Sequence, residues 1–421
     1  MSFGNTEKAV DADVIVLGAG IIGVCVALHL QARGRSVVLV DKGEAGGETS
    51  HGNAGLIERA SVIPYAMPRN WVTLAGYATN RSSAVRYARS QLPKLLPWLA
   101  RYWWHSGPTQ LGQVARDMLP LIEASVREHE ALIGPAGIRE LMHNDGWIEI
   151  YRTRKAWQQA AQAAAGLSAY GLTYDVLDEA ALKEREPGLS NLAGAIHWRD
   201  PMTSSDPGAV TRAYARLFED RGGTMVRADA MTLSRDGDHW SIEEGRLQHC
   251  AGEVVVALGP WSADLCTRFG YRFPMAYKRG YHMHYGVIGN QQRLSVPVCD
   301  SEAGFVLAPM SQGIRLTTGI ELAERDAPTN MSQLKQAEGV ARQYFPLGAA
   351  LDVEPWRGSR PCLPDMKPVI GPADQQEGLW FAFGHAHHGF TLGPATGRLL
   401  AEMMTGTTPF ADPAPFSPKR F

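Results

Sequence analysis

The sequence predicts an α/β protein, α+β taken as a whole, with a parallel sheet flanked by helices and a second part built on an antiparallel sheet and helices. Three observations predict it. Residues 13–41 run strand, glycine turn, helix, strand, which is the order of a βαβ unit. Apolar residues alternate in several runs between residues 274 and 318, such as 304–308 and 314–318, the two-residue period of strands with one buried face. The 421 residues also exceed the usual size of one compact domain, so two interleaved domains are expected.

The elements follow in order. Val14 to Leu17 and Val37 to Val40 are unbroken apolar runs, as strands buried on both faces require. A helix is predicted over 21–33, stopped by Gly34. Although residues 14–30 carry no Asp, Glu, Lys or Arg, Gly18, Gly20 and Gly23 interrupt them, so this is strand, turn and helix rather than a membrane span. From about residue 65 to 149 longer helical stretches rich in Arg, Leu and Trp take over, with helical apolar spacing over 117–132. Residues 206–220 read as a helix capped by Ser205 or Asp206, with Pro207 in its first turn and a stop at Gly222 and Gly223. Strands follow at 224–226, 240–243 and 253–258, and a glycine-containing segment over 378–397 leads into a helix at 398–404. A Pro-rich tail comes after residue 405.

Composition narrows the function classes. A net charge of -2 and a pI near 6.7 offer no excess of Lys and Arg for nucleic acid, so small molecules are the expected partners. The five cysteines, Cys25, Cys250, Cys266, Cys299 and Cys362, are scattered without metal or CxxC spacing, which fits a reduced, cytoplasmic setting. Residues 1–13 lack the cationic and apolar regions of an export signal, so the mature chain is expected to start near Met1.

Gly18-Ala19-Gly20-Ile21-Ile22-Gly23 matches GxGxxG between a predicted strand and helix, the context in which glycines let the backbone approach a pyrophosphate at a helix N-terminus. Asp41 ends the second strand where a carboxylate accepts hydrogen bonds from ribose hydroxyls and repels a 2′-phosphate, favouring FAD or NAD over NADP. The following small-residue run includes Thr49, Ser50, His51, Gly52, Asn53, Ala54 and Gly55. It could pack against a flat ring and bond phosphate oxygens, or be a surface loop. The run 254–262 is a buried strand ending at Gly259 beside Trp261. Near the C-terminus, the segment from Gly384 through His388, Gly389, Thr391 and Leu392 leads toward a helix start suited to the negative charge of a reduced flavin.

These pieces resemble the D-amino-acid oxidase-like (DAO) flavoenzymes, closest to the bacterial D-amino-acid dehydrogenases. The matching stretches are GAGIIG, the VDK of residues 40–42, TSHGNAG, VVALGPWS, GSRPCLPDMKPVIG and GHAHHGFTLGPATG, which span residues 14 to about 404. The resemblance implies a glutathione-reductase-like Rossmann FAD-binding domain, discontinuous over 10–64, 200–265 and 355–410. The substrate domain would comprise 65–199 and 266–354, with a tail at 411–421. It implies FAD as cofactor, contacted by the residues just named together with Gly18, Gly20, Ile22, Gly23, Asp41 and Lys42. Hydride would pass from the α-carbon of a D-amino acid or cyclic imino acid to the flavin, and electrons onward to an acceptor other than oxygen, such as a quinone.

The resemblance places Arg360 as the clamp for the substrate carboxylate, a role its guanidinium fork suits, with Arg357 as a competitor. It places Tyr281, in Lys278-Arg279-Gly280-Tyr281, beside the substrate, with burial of Tyr281 in a strand core as the alternative. Tyr65, Met67, His282 and Phe305 are further pocket candidates. His385, His387 and His388 could contact the ring, as could His51, or serve as scaffold; His282 and His284 share a strand face without a third metal ligand, and no metal is expected. Related sarcosine oxidases tether FAD through a cysteine that would fall at Gly358 or Ser359 here, so the flavin is expected to be noncovalent. Residues 86–104 mix Arg and Lys with Tyr and Trp, which could touch the inner face of a membrane, but Pro93 and Pro97 are expected to break the helix and core packing is the favoured reading. Competing functions are a glycine or sarcosine-type amine oxidase producing hydrogen peroxide, and a flavin subunit of a larger amine or opine oxidase complex.

Overall fold

The computed structural model describes residues 7–288 and 293–421. The class is mixed α/β. Strand β1 (Glu7–Leu17), helix α1 (Ile21–Gln31) and strand β2 (Val37–Asp41) form the predicted βαβ unit. On its other edge β1 pairs in parallel with Leu247–Val256, while Thr224–Arg227 extends the sheet beyond β2 and Leu379–Phe383 beyond Val254–Val256. Beginning, middle and end of the chain thus contribute parallel strands to one sheet, which His239–Glu244 and Val369–Pro372 join antiparallel. The buried half of its central strand, Val14 to Leu17, is apolar at every position because both faces are covered. Val14 and Val16 join a core with α1, the helix Pro207–Asp220 and the C-terminal helix, whereas Ile15 and Leu17 join the core on the opposite face. The predicted cap of Pro207–Asp220 is Asp206, whose side chain accepts from the Ala209 amide.

The C-terminal helix departs from expectation, running Gly389–Met404 where the sequence predicted a start at residue 398. Its glycines give the reason. A Cβ on Gly393 would lie 2.7 Å from Ile21 Cγ1, and one on Gly397 2.5 Å from the Cys25 carbonyl oxygen. Glycine here lets the helix press against α1 rather than breaking it. Pro394 within it cannot bond the Phe390 carbonyl, and that oxygen accepts instead from Nε2 of buried His129 at 2.9 Å. Tyr214 Oη lies 3.2 Å from Nδ1 of the same ring.

The second large sheet centres on Ala276–Val287, antiparallel to Gly313–Thr317 and Ile320–Leu322 on one side and to Leu347–Ala350 and Trp356–Cys362 on the other. It continues through Phe305–Met310 and Val298–Asp300 to Trp147–Tyr151, Gly194–Trp198 and Tyr174–Asp178. The helix Leu92–His105 tolerates both prolines: Pro93 falls in the first turn, where its N–H would be free anyway, and Pro97 costs one bond. Trp98 and Tyr102 hold it down by packing with Ala276 and Cys362. Among the described residues no helix is long and apolar enough to cross a membrane.

Candidate functional site

The glycine turns that the sequence singled out converge. Residues from the β1–α1 turn, the loop after β2, the Gly259 turn and the start of the C-terminal helix line one cavity of about 840 Å³ at the junction of the two sheets. The β1–α1 turn is shaped by its glycines: Gly18 has φ +104°, and a Cβ on Gly23 would stand 1.8 Å from the Gly18 carbonyl oxygen. Asp41 accepts from the amides of Ala19 at 2.7 Å and Gly43 at 2.9 Å, so its carboxylate ties the turn to the end of β2. The Ile21 amide donates to Ser50 Oγ at 3.0 Å, which binds the loop after β2 to the N-terminus of α1.

Of the residues expected at the cofactor, Gly18, Gly20, Ile22, Asp41, Lys42, Thr49, Ser50, Asn53, Ala54, Gly259, Trp261, Gly384 and Gly389 line this cavity. Others support it without facing it. Gly23 is required by the close turn, and Gly55 has φ +76°, where a Cβ would stand 2.1 Å from the Ser204 carbonyl oxygen. Thr391 accepts from the Glu58 amide and donates to the Leu56 carbonyl, joining the C-terminal helix to the chain after β2. Leu392 is buried in the core. His51 turns away from the cavity toward His282 and Trp356, with ring centroids at 5.8 and 6.1 Å, and His388 faces a small adjoining cavity. Gly52 has its own cause: a Cβ there would overlap the Trp356 indole at 1.8 Å.

Arg360 reaches the cavity because Gly280, on the neighbouring strand, has no side chain in its way. A Cβ on Gly280 would come within 2.8 Å of Arg360 Nη1. That Nη1 is buried without a hydrogen-bond partner, and burial lowers the pKa of the guanidinium, with Glu58 and Tyr65 among the groups acting on it. A buried, unanswered guanidinium is a receptor for an anion, and a carboxylate matches its fork. Arg357 instead donates to the Ala327 carbonyl.

Tyr281 corrects the sequence reading in part. The residue borders the cavity, but its hydroxyl donates to Glu321 Oε2 at 2.6 Å while accepting from Arg279 Nη2 at 2.6 Å and the Asn330 amide at 3.2 Å. Alternation along the strand groups it with Arg279, and the hydroxyl is committed to that structural network. The His282–His284 pair likewise carries structure: His284 Nδ1 meets Asp352 at 2.9 Å, its Nε2 accepts from Arg315 at 3.0 Å, and His282 stacks on Trp356.

Sequence reasoning missed Lys278, Tyr102 and Glu58. Lys278 Nζ donates to Tyr102 Oη at 3.0 Å in the cavity wall. Glu58 also lines the cavity, and burial pushes its carboxyl up to about 7. Nothing near Glu58 in sequence distinguishes it from a surface carboxylate; only the fold reveals its position.

The profile of the DAO family, described as FAD dependent oxidoreductase, matches residues 13–403. The chain belongs to this family. A protein named D-amino-acid oxidase from Bradyrhizobium diazoefficiens is similar to this oxidoreductase at 31% identity, covering 97% of this chain and 98% of that protein. One named D-amino acid dehydrogenase from Granulibacter bethesdensis is 30% identical over 97% of this chain and 99% of its own. Among solved structures, glycine oxidase from Geobacillus kaustophilus shares the fold at a TM-score of 0.74 and 21% identity, covering 98% of this chain and 100% of that one.

The cavity of this FAD dependent oxidoreductase fits its cofactor. It is large enough for a dinucleotide, glycines admit backbone to it at Gly18 and Gly20, and Asp41 stands at one wall with open lone pairs. At another wall Gly389 and Phe390 begin a 16-residue helix whose N-cap, His388, makes no side-chain cap bond, leaving amides free for an anionic ring edge.

Proposed function

We propose that this protein oxidises D-α-amino acids to imino acids and passes the electrons to an acceptor other than oxygen, such as a quinone. One observation carries the reading: the unpartnered Arg360 guanidinium opens into the same cavity as the dinucleotide turns. When bound, FAD supplies the two-electron chemistry. Arg360 holds the substrate carboxylate through parallel hydrogen bonds and so fixes which C–H faces the ring. The imino acid product leaves for hydrolysis in water. The names of the relatives from Bradyrhizobium and Granulibacter support the D-series substrate.

Noncovalent binding of FAD belongs to the same proposal. Cys362 lines the cavity, but burial raises its thiol pKa, so the nucleophilic thiolate is disfavoured. The division into a cofactor domain of residues 10–64, 200–265 and 355–410 and a substrate domain of 65–199 and 266–354 belongs to it too, with one correction: Trp356–Cys362 pairs with Ala276–Val287 in the second sheet and goes with the substrate domain. The oxidase name of the Bradyrhizobium relative favours a second reading, in which oxygen takes the electrons and hydrogen peroxide forms.

Anaerobic mixing with a panel of D- and L-amino acids tests the proposal. Bleaching of the flavin by D-amino acids, followed by reoxidation with a quinone analogue faster than with oxygen, is the expected result. Bleaching by L-amino acids alone, or none by any amino acid, overturns it; reoxidation by oxygen alone selects the oxidase reading.

A further inference from the structure

We infer that Glu58, His387 and His388 form a receptor for the substrate's ammonium group, matched to primary α-amino acids over N-alkylated and cyclic ones. The inference rests on the amino-acid reading above and adds the amine half of the site. One acceptor atom from each of the three side chains lies within 4.8 Å of the other two. Glu58 and His387 line the cavity into which Arg360 opens. His387 Nε2 and His388 Nδ1 are buried with no hydrogen-bond partner, and His388 is only 5% exposed. Buried polar atoms left in this state call for a ligand that donates to them.

The occupant follows from charge and spacing. Burial, with the cations Lys278 and Arg360 adding to it at His387, keeps both imidazoles neutral, so each presents a lone pair. The cluster therefore offers two neutral acceptors and, above about pH 7, one carboxylate to a donor. Acceptors about 2.8 Å from a tetrahedral nitrogen stand about 4.6 Å apart, a spread the cluster accommodates as it is. A dication would sit beside Lys278 and Arg360 with a single carboxylate to offset it. A zwitterionic amino acid adds no net charge: its carboxylate answers Arg360 and its ammonium answers Glu58. The three N–H groups of a primary ammonium satisfy three acceptors, whereas a secondary one leaves one acceptor unanswered, a loss of about tenfold in affinity.

Calorimetry on the FAD-loaded enzyme tests this without turnover. The ligands are 2-aminoisobutyrate, which has no α-hydrogen to transfer, its N-methyl derivative, and isobutyrate, which has no amine. The wild type should bind 2-aminoisobutyrate at least about tenfold more tightly than either of the others. In Glu58→Gln that preference should fall below about threefold while the isobutyrate Kd stays within about twofold, and Glu58→Asp should retain part of the preference. FAD content and melting temperature establish that each variant is folded; the inference then stands or falls on the preference in whichever of Glu58→Gln and His387→Ala retains FAD. An undiminished preference there overturns it, as does a preference abolished by EDTA, which would place a metal in the cluster. Isobutyrate binding that is unchanged in Arg360→Ala would instead sink the carboxylate clamp, and with it the reading on which this inference rests.

Discussion

Replacing Gly280 by Ala probes the clamp without touching a charge. The added methyl would stand 2.8 Å from Arg360 Nη1, 2.9 Å from Nη2 and 3.1 Å from Cζ. Ordinary contact requires the guanidinium to retreat by about 0.6 Å, which the far end of an arginine can do without moving backbone. Gly280 is a strand residue outside the positive-φ region, so alanine itself brings no backbone strain. The fold should therefore hold, with a melting temperature within a few degrees of the wild type. The carboxylate site should not. A fork displaced by that amount loses about one of its two charge-assisted bonds, roughly 1.5 kcal/mol, or about tenfold in Kd. Titrating isobutyrate while following the flavin absorbance measures this directly. A Kd changed by less than twofold in a folded, FAD-loaded Gly280→Ala would refute the assignment of Arg360 as the carboxylate receptor.

Three further outcomes are expected. Gly397→Ala forces a Cβ to 2.5 Å from the Cys25 carbonyl and should destabilise the protein by about 1–3 kcal/mol, while Gly339→Ala, also within a helix but with open space, should be neutral or stabilising by up to about 1 kcal/mol; urea unfolding compares them. His129→Ala strands the Phe390 carbonyl that Pro394 leaves unbonded and should cost about 1–3 kcal/mol or more, read in the same assay with FAD release as a second signal. Burial lowers the pKa of His129 from 6.5 to about 4. The unfolded chain therefore takes up a proton between those values that the folded one refuses. This contribution is full above pH 6.5, declines as pH falls toward 4 and then levels off, amounting to about 3 kcal/mol at most; a flat urea midpoint across that window would contradict it.

Much of the cofactor side was legible in the sequence because its determinants are local. A strand buried on both faces shows as an unbroken apolar run, and Val14 to Leu17 has no other reading once Gly18 follows. The C-terminal helix was misjudged because Gly389, Gly393, Pro394 and Gly397 count as breakers in isolation, whereas the cause of Gly393 and Gly397 is the passage of α1. Pro97 misled in the same way, since Trp98 and Tyr102 anchor the helix around it. Tyr281 and Lys278 sit three residues apart, and which of them turns its polar end into the cavity depends on strand register, which no single sequence fixes. Glu58 was invisible because the groups that act on it, Arg360 and His387 among them, lie hundreds of positions away in the chain.

The tight seating of the C-terminal helix on α1 reaches beyond stability. One member of the pair starts beside the pyrophosphate turn and the other starts where the ring edge is expected, so together they act as a fixed gauge for the two ends of a single long molecule. Backbone touching backbone at Gly397 leaves that gauge no slack. Substitutions that pry the helices apart should therefore be noticed first as a weaker hold on FAD, with the chemistry of whatever fraction stays loaded little altered.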